Sequence, residues 1–341
     1  MLKAFKFRMY PTDEQKKWLI QNFGCVRFTY NHLLLSRQET YKQLGVIDYS
    51  LTPAALKKRY SFLKEADSLA LANAQLNLDR AFRNYFKGRA SFPKLKSKKS
   101  MWQSYTTNNQ GHTIYLEGNQ LKLPKQKKLF NVHVHRPIEG TIRSATISSR
   151  YNEEFYVSFL CEVPLNKRQK TNEWVGIAYC PKGLVETSQK IEVVAPKLLV
   201  TNQKIAVAER KLSIRAKAAQ QRKKALERAK NYQKQKRKVL NLYQKQKYQR
   251  EDYLEQLSAI LVNKFDYLFI ESLPDEKLAS DFSVQDWHKL LTKLRYKAEW
   301  YQKTFILINT QDIHSHSAQE KSRLLERIGT VSYTHLRAHE T

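Results

Sequence analysis

With 341 residues, the chain is long enough for two or three domains, each with its own core. Its 41% hydrophobic and 11% aromatic content excludes a wholly disordered chain. The 61 Lys and Arg against 31 Asp and Glu give a formal charge of +30, far beyond the net charge of about 8 that suits a small soluble domain, and so point to a polyanionic partner.

No long apolar span or lipidation motif is visible, which favours nucleic acid over an anionic membrane as that partner. The opening MLKAFKFRMY has no apolar signal core, so a cytoplasmic, nucleoid-associated protein is expected. Cys25, Cys161 and Cys180 are widely spaced and form no C-x-x-C pair, which supports neither a disulfide framework nor a zinc ribbon.

In chain order, Phe5, Phe7 and Met9 alternate with Lys6, Arg8 and Tyr10, the pattern of a half-buried strand that Pro11 ends. Thr12 to Gln15 has capping-box spacing and opens a helix on which Trp18, Leu19, Phe23, Val26, Tyr30, Leu33 and Leu34 recur at helical intervals. A second helical block is predicted over about 53–87, with Leu69, Ala72, Leu76, Leu78, Phe82 and Phe86 as its core face. A basic loop follows over 88–100, and from 112 to 163 the pattern alternates as strands do. Residues 164–173 read as a linker.

WVGIAYCPKG (174–183) is a short buried strand running into a turn, with Pro181 and Gly183 as the stop. A long helical region is predicted over about 197–262. Between Lys204 and Arg250 it holds seventeen Lys and Arg against only Glu209 and Glu227. A solvated face would explain such a run, but neighbouring like charges repel, so phosphates nearby explain it better. DYLFIESL (266–273) reads as a buried strand ending in Glu271, followed by an amphipathic helix over 287–302 and a strand over 304–309. His314 and His316 alternate without other convergent ligands, a pattern more often solvent-exposed than metal-binding. Residues 329–341 fit no core pattern and are expected to form a disordered or non-native tail.

The ordered set FKFRMYPTDEQ, FTYNHLL, LDRAFRNYFKG, FPKLKSK, LKLPK, WVGIAYC, YLFIESL and LRYKAEWY, spanning the first 310 residues, resembles the TnpB family. That family comprises transposon-encoded, RNA-guided nucleases of the RuvC type, related to type V CRISPR effectors. The resemblance implies an α+β multidomain fold. A wedge-like β-barrel (1–10 and 96–165) would carry an inserted helical recognition lobe (11–95), followed by an RNase H-like RuvC domain (166–325) with a basic helical insertion.

In the family three carboxylates hold two divalent metals. Gly176 and Ile177 match the first motif, but Ala178 stands at its aspartate position and Cys180 at its glycine position. Glu271 matches the second carboxylate. Ser317 and Glu320 stand where the alignment expects the first zinc cysteines, and no third-aspartate motif follows. The spacing of Asp275, Asp281 and Asp312 does not suit them as replacements.

These positions lead to the expectation of a chain that is not an enzyme, has no functional catalytic residues and binds no zinc or magnesium, closest to the nuclease-dead repressors of the family. Such a chain would bind a guide RNA and double-stranded target DNA and repress transcription by occlusion. A decayed transposon protein with nucleic-acid binding only, and a residual RNA-guided DNA endonuclease, are the alternatives. The resemblance also implies that Tyr49, Ser68, Ala72, Thr107 and Asn108 read a short flanking motif, while Arg222, Lys223 and Lys224 are the expected phosphate contacts in the basic helices.

Overall fold

Strand β1 (Leu2–Tyr10) buries Phe5, Phe7 and Met9 on one face and leaves their neighbours half-buried or exposed, as the two-residue period of a strand requires. Thr12 then caps α1 (Asp13–Leu44). Its Oγ1 accepts the Gln15 N–H at 3.3 Å, and its own N–H donates to Gln15 Oε1 at 3.0 Å, which satisfies two donors that the first helical turn leaves open. In the computed structural model the described residues are 1–164, 170–180, 183–193, 198–272, 284–309 and 317–338, and the chain divides into two compact units, 1–164 and 165–341.

The helical block expected over 53–87 is broken in two. Helix α2 (Pro53–Arg59) and a 3₁₀ turn at Ser61–Lys64 precede α3 (Ser68–Phe86). The break has a local cause: Asp67 Oδ1 accepts the Leu69 N–H at 3.2 Å and starts α3 afresh. Its buried face is Ala70, Leu71, Ala74, Leu78 and Phe82, whereas Leu76 and Phe86, expected in the core, are more than half exposed.

Six more strands complete the first unit: β2 (Trp102–Asn108), β3 (Tyr115–Glu117), β4 (Gln120–Lys122), β5 (Phe130–His133), β6 (Thr141–Arg150) and β7 (Glu154–Glu162). They form one antiparallel sheet in the order β2-β6-β7-β1-β5-β4-β3, with Phe5 opposite Phe159 and Phe7 opposite Val157. Among the described residues no ladder joins β2 to β3, so the sheet is open in its hydrogen-bonded order where a barrel is expected. Its inner face and the apolar sides of α1 and α3 share one core, in which each fully buried aromatic or aliphatic side chain contributes about 1.5–3 kcal/mol.

The second unit is built on β8 (Trp174–Cys180), β9 (Leu184–Thr187), β10 (Tyr267–Ser272) and β11 (Thr304–Asn309), in the order β11-β10-β8-β9. β8, β10 and β11 run parallel, and β9 turns back antiparallel to β8. Parallel strands are covered on both faces, and β8 is buried from Val175 through Tyr179. Val175, Ile177 and Tyr179 face α5 (Lys230–Lys264) and α6 (Val284–Tyr301), whereas Ala178 packs with Phe269 and Leu325 of α7 (Ala318–Ala338).

Helix α7 corrects the expected tail. Residues 329–338 continue a helix instead of fraying, because Leu325 and Gly329, one turn apart, both meet the sheet. A Cβ on Gly329 would lie 2.1 Å from the Phe269 ring, and one on Gly176 would lie 1.8 Å from the Ser322 carbonyl oxygen. Close approach of α7 therefore demands glycine at both positions.

The long basic region is a hairpin of α4 (Leu198–Gln221) and α5. Its antiparallel register is fixed by Thr201 Oγ1 donating to Gln249 Oε1 at 2.9 Å and by Gln235 Nε2 donating to the Ala208 carbonyl at 2.8 Å. No helix is long and apolar enough to cross a membrane among the described residues.

Candidate nucleic-acid interface and carboxylate site

In the first unit, four of the five residues matched to flanking-motif reading come together where α3 begins against β2. Asp67 caps α3 with one carboxylate oxygen and takes the Thr107 hydroxyl with the other. Asn73 Nδ2 donates to Asn108 Oδ1 at 3.4 Å, and Lys57 Nζ donates to the Ser68 hydroxyl at 2.7 Å. Ser68 and Ala72, four residues apart, share one side of α3. Thr107 is fully buried, so it has no surface to offer a base and acts by holding Asp67.

Tyr49 lies elsewhere, its ring 4.5 Å from the guanidinium carbon of Arg37, which pairs with Asp79 of α3 at 2.6 Å. Eleven residues of α3 separate Asp79 from Ser68, roughly 16 Å of helix. Asp67, Asn73 and Lys57 are the partners that sequence reasoning passed over. An aspartate just ahead of an apolar-periodic run is the signal that would have found Asp67.

In the second unit, Ala178 and Glu271 lie side by side. Ile270 is in register with Ile177, which puts the next residues, Glu271 and Ala178, on the sheet face under α7. Glu271 is 1% exposed. Its Oε2 accepts the Tyr179 N–H at 2.8 Å, and its Oε1 meets Lys321 Nζ of α7 at 3.1 Å. Glu186 of β9 is the cross-strand partner of Ala178, and directly opposed residues of an antiparallel pair project to the same face. This strand end thus has a second carboxylate that the linear motif does not show.

Among the described residues no three His, Cys, Asp or Glu side chains come together in a way that would hold a metal ion. The described part of this sheet end does not by itself make up the two-metal site that the resemblance implies. Asp275, Asp281, Asp312, His314 and His316 lie outside the described residues. Ser317 caps the start of α7 with Glu320: its hydroxyl donates to Glu320 Oε2 at 2.8 Å and accepts the Glu320 N–H at 3.1 Å.

At the hairpin tip, Arg222, Lys223 and Lys224 are all exposed. Lys223 adopts a left-handed φ of +49°, and the Lys224 N–H returns to the Ala219 carbonyl at 2.9 Å. The chain therefore folds back over the end of α4 and holds cations on both sides of the bend.

A family model described as a helix-turn-helix domain matches residues 1–45; here those residues form β1 and the single long helix α1. A protein of Streptomyces pristinaespiralis named "Putative RNA-guided DNA endonuclease" is 32% identical over 324 residues, covering 90% of this chain and 77% of its own length. "Putative RNA-guided DNA endonuclease InsQ" of Escherichia coli (strain K12) is 24% identical over 327 residues, 88% of this chain and 78% of that protein. The cryo-EM structure of the Cas12f1–sgRNA–target DNA complex matches with a TM-score of 0.58 at 15% identity, over 87% of this chain and 74% of that one. At that identity the likeness is one of fold.

These relatives overturn the expectation that the chain is not an enzyme. Both are named as endonucleases, and against likeness along nine-tenths of the chain the departures at Ala178, Cys180, Ser317 and Glu320 and the missing third-aspartate motif do not carry that expectation. Glu271 remains in place, and Glu186 projects to the face of Ala178 from the neighbouring strand. At 32% identity across most of both proteins, the chain belongs to the TnpB family.

Proposed function

We propose that the chain binds a guide RNA and is directed by it to complementary double-stranded DNA. In RNA-guided systems base pairing reads the sequence, while the protein supplies the flanking-motif contacts and a positive channel for the heteroduplex. The observation that carries this reading is the α4–α5 hairpin, with seventeen cations against two acids between Lys204 and Arg250, in a chain whose fold is like that of an effector solved with its guide and target. In this reading the first unit combines a wedge with a recognition lobe, and Ser68, Ala72, Asn108 and Tyr49 face the flanking motif. The second unit is RuvC-like, an assignment supported by its parallel β8-β10-β11 core with antiparallel β9.

Cleavage of the DNA is the activity for which the relatives are named, and Glu271 is the residue through which we test it here. Binding has a second consequence that is independent of cleavage. A complex seated over a promoter or gene start occludes polymerase.

The test starts from the protein purified with its co-expressed RNA. Sequencing that RNA identifies the guide, and a gel shift with matched and seed-scrambled duplexes measures targeting. Guide-dependent retention of the matched duplex is expected, and equal binding of both duplexes overturns the reading. Incubating the same complex with matched plasmid in Mg²⁺ and Mn²⁺, beside Glu271→Ala, then measures cleavage. A reporter carrying the matched site in its promoter measures occlusion.

A further inference from the structure

The bend between α4 and α5 forms an open-sided cavity of about 390 Å³ lined by Arg215, Arg222, Lys224, Lys230 and Tyr232, together with three alanines. We propose that this cavity holds one unpaired nucleotide of the bound nucleic acid, its phosphate among the four cations and its base against the Tyr232 ring. The inference rests on the reading that the chain binds RNA, and deepens it by naming what the hairpin tip selects.

Four cations converge on the cavity, and its lining holds no acidic side chain. Like charges brought together without a counter-charge repel, so the arrangement is relieved by an anion. Arg215 is fixed in the wall, its Nη1 donating to the Asn231 carbonyl at 3.0 Å. Lys224 is brought to the rim by the left-handed turn at Lys223.

The volume falls in the range of small-molecule sites, about 300–1,000 Å³, and exceeds what a phosphate alone would fill. A regular duplex presents a row of phosphates and needs no concavity. Its bases are also stacked on both faces, so none is free to meet Tyr232. An unpaired nucleotide, at a bulge or a strand end, offers both the charge and the open face, and base–aromatic stacking is indifferent to base identity.

The experiment measures, by fluorescence anisotropy with the full chain, binding of an RNA hairpin carrying a single-nucleotide bulge and of the same hairpin without it. DNA versions of both, with adenosine monophosphate and inorganic phosphate as competitors, complete the set. The wild type is expected to prefer the bulged hairpin about tenfold. Tyr232→Ala should remove that preference, Tyr232→Phe should keep it, and Lys224→Gln should lower it. Competition by adenosine monophosphate but not by phosphate shows that the base is read as well as the charge. A preference confined to RNA assigns the nucleotide to the guide, and one shared with DNA assigns it to either strand. Equal binding of bulged and regular hairpins by the wild type, or equal weakening of both by Tyr232→Ala, overturns the proposal. Absence of binding to any RNA overturns the RNA-binding reading itself.

Discussion

Around the four-stranded sheet of the second unit, buried carboxylates each have their own cation. Asp266 pairs with Lys303 and also accepts the Thr171 and Asn172 N–H groups at 2.7 Å, Asp286 lies between Arg250 at 2.5 Å and Lys289 at 3.0 Å, and Glu271 meets Lys321. On the neighbouring hairpin, the cations from Lys204 to Arg250 far outnumber the acids and several stand in solvent. The contrast separates two uses of charge. Around this sheet a buried carboxylate finds its counter-ion within the chain, and the pair serves the fold. At the hairpin tip Arg222, Lys223 and Lys224 are exposed, and in the proposed function a nucleic-acid partner supplies the counter-charge.

The largest effect is expected from breaking a buried pair. Asp266→Asn leaves the Lys303 ammonium, 3% exposed, without its counter-charge, and breaking such a pair typically costs about 3–5 kcal/mol. Urea denaturation followed by circular dichroism should show that loss. A cost below about 1 kcal/mol would mean that water reaches Lys303 and that the contrast with the hairpin is overdrawn.

Acid tests the Asp266 and Asp286 pairs together. Burial pushes the Asp266 carboxyl up, but its hydrogen bond with Lys303, the Asn172 and Thr171 amides and the Lys303 charge outweigh it and hold the group below its ordinary value. Burial likewise pushes Asp286 up, and its lysine and arginine partners bring the net shift down. Carboxyls depressed in the folded state bind protons less readily there than in the unfolded chain, so unfolding becomes easier as the pH falls. Their stabilisation is complete above the unfolded value of about 4 and is lost as the pH drops through the folded values, each unit of depression contributing about 1.4 kcal/mol. A melting temperature that stays flat between pH 5 and pH 2.5 contradicts this account.

A smaller loss is expected where α7 meets β8. Gly176→Ala places a methyl group against the Ser322 carbonyl, and overpacking of this kind costs about 1–3 kcal/mol. If α7 instead rode loosely over the carboxylate face, the substitution would be neutral in a thermal melt.

Much of the fold was legible from local signals. The alternation of Phe5, Phe7 and Met9 gave β1, and the Thr12–Gln15 box gave the start of α1, because neighbours in sequence dictate both. The contacts that organise the sites are not local. Lys321 is fifty residues from Glu271, Lys303 is thirty-seven from Asp266, and Thr107 is forty from Asp67. No periodicity announces such pairs. The sequence made Ala178 look decisive because motifs are read along one strand, whereas Glu186 reaches the same face from the next strand. Helix α7 escaped notice for a related reason. Its tail shows no run of large apolar residues, since it docks through a glycine onto Phe269.

The smallest effect on stability, and the one that most sharpens the contrast, is expected at the hairpin tip. Arg222, Lys223 and Lys224 are exposed and beyond the core, so converting all three to glutamine should move the unfolding free energy by no more than about 0.5 kcal/mol. Nucleic-acid binding should respond quite differently. Each phosphate contact releases condensed counter-ions, and the logarithm of the affinity falls with the logarithm of salt by about 0.9 per contact on duplex DNA and about 0.7 on single strands. If all three side chains touch phosphate, the triple variant should flatten that slope by about 2 to 3, and its deficit in affinity should shrink as salt rises. Filter binding of the guide RNA from 50 to 300 mM NaCl measures both. An unchanged slope with intact stability would make these cations a solvated face, whereas a flattened slope accompanied by a falling melting temperature would place them in the fold.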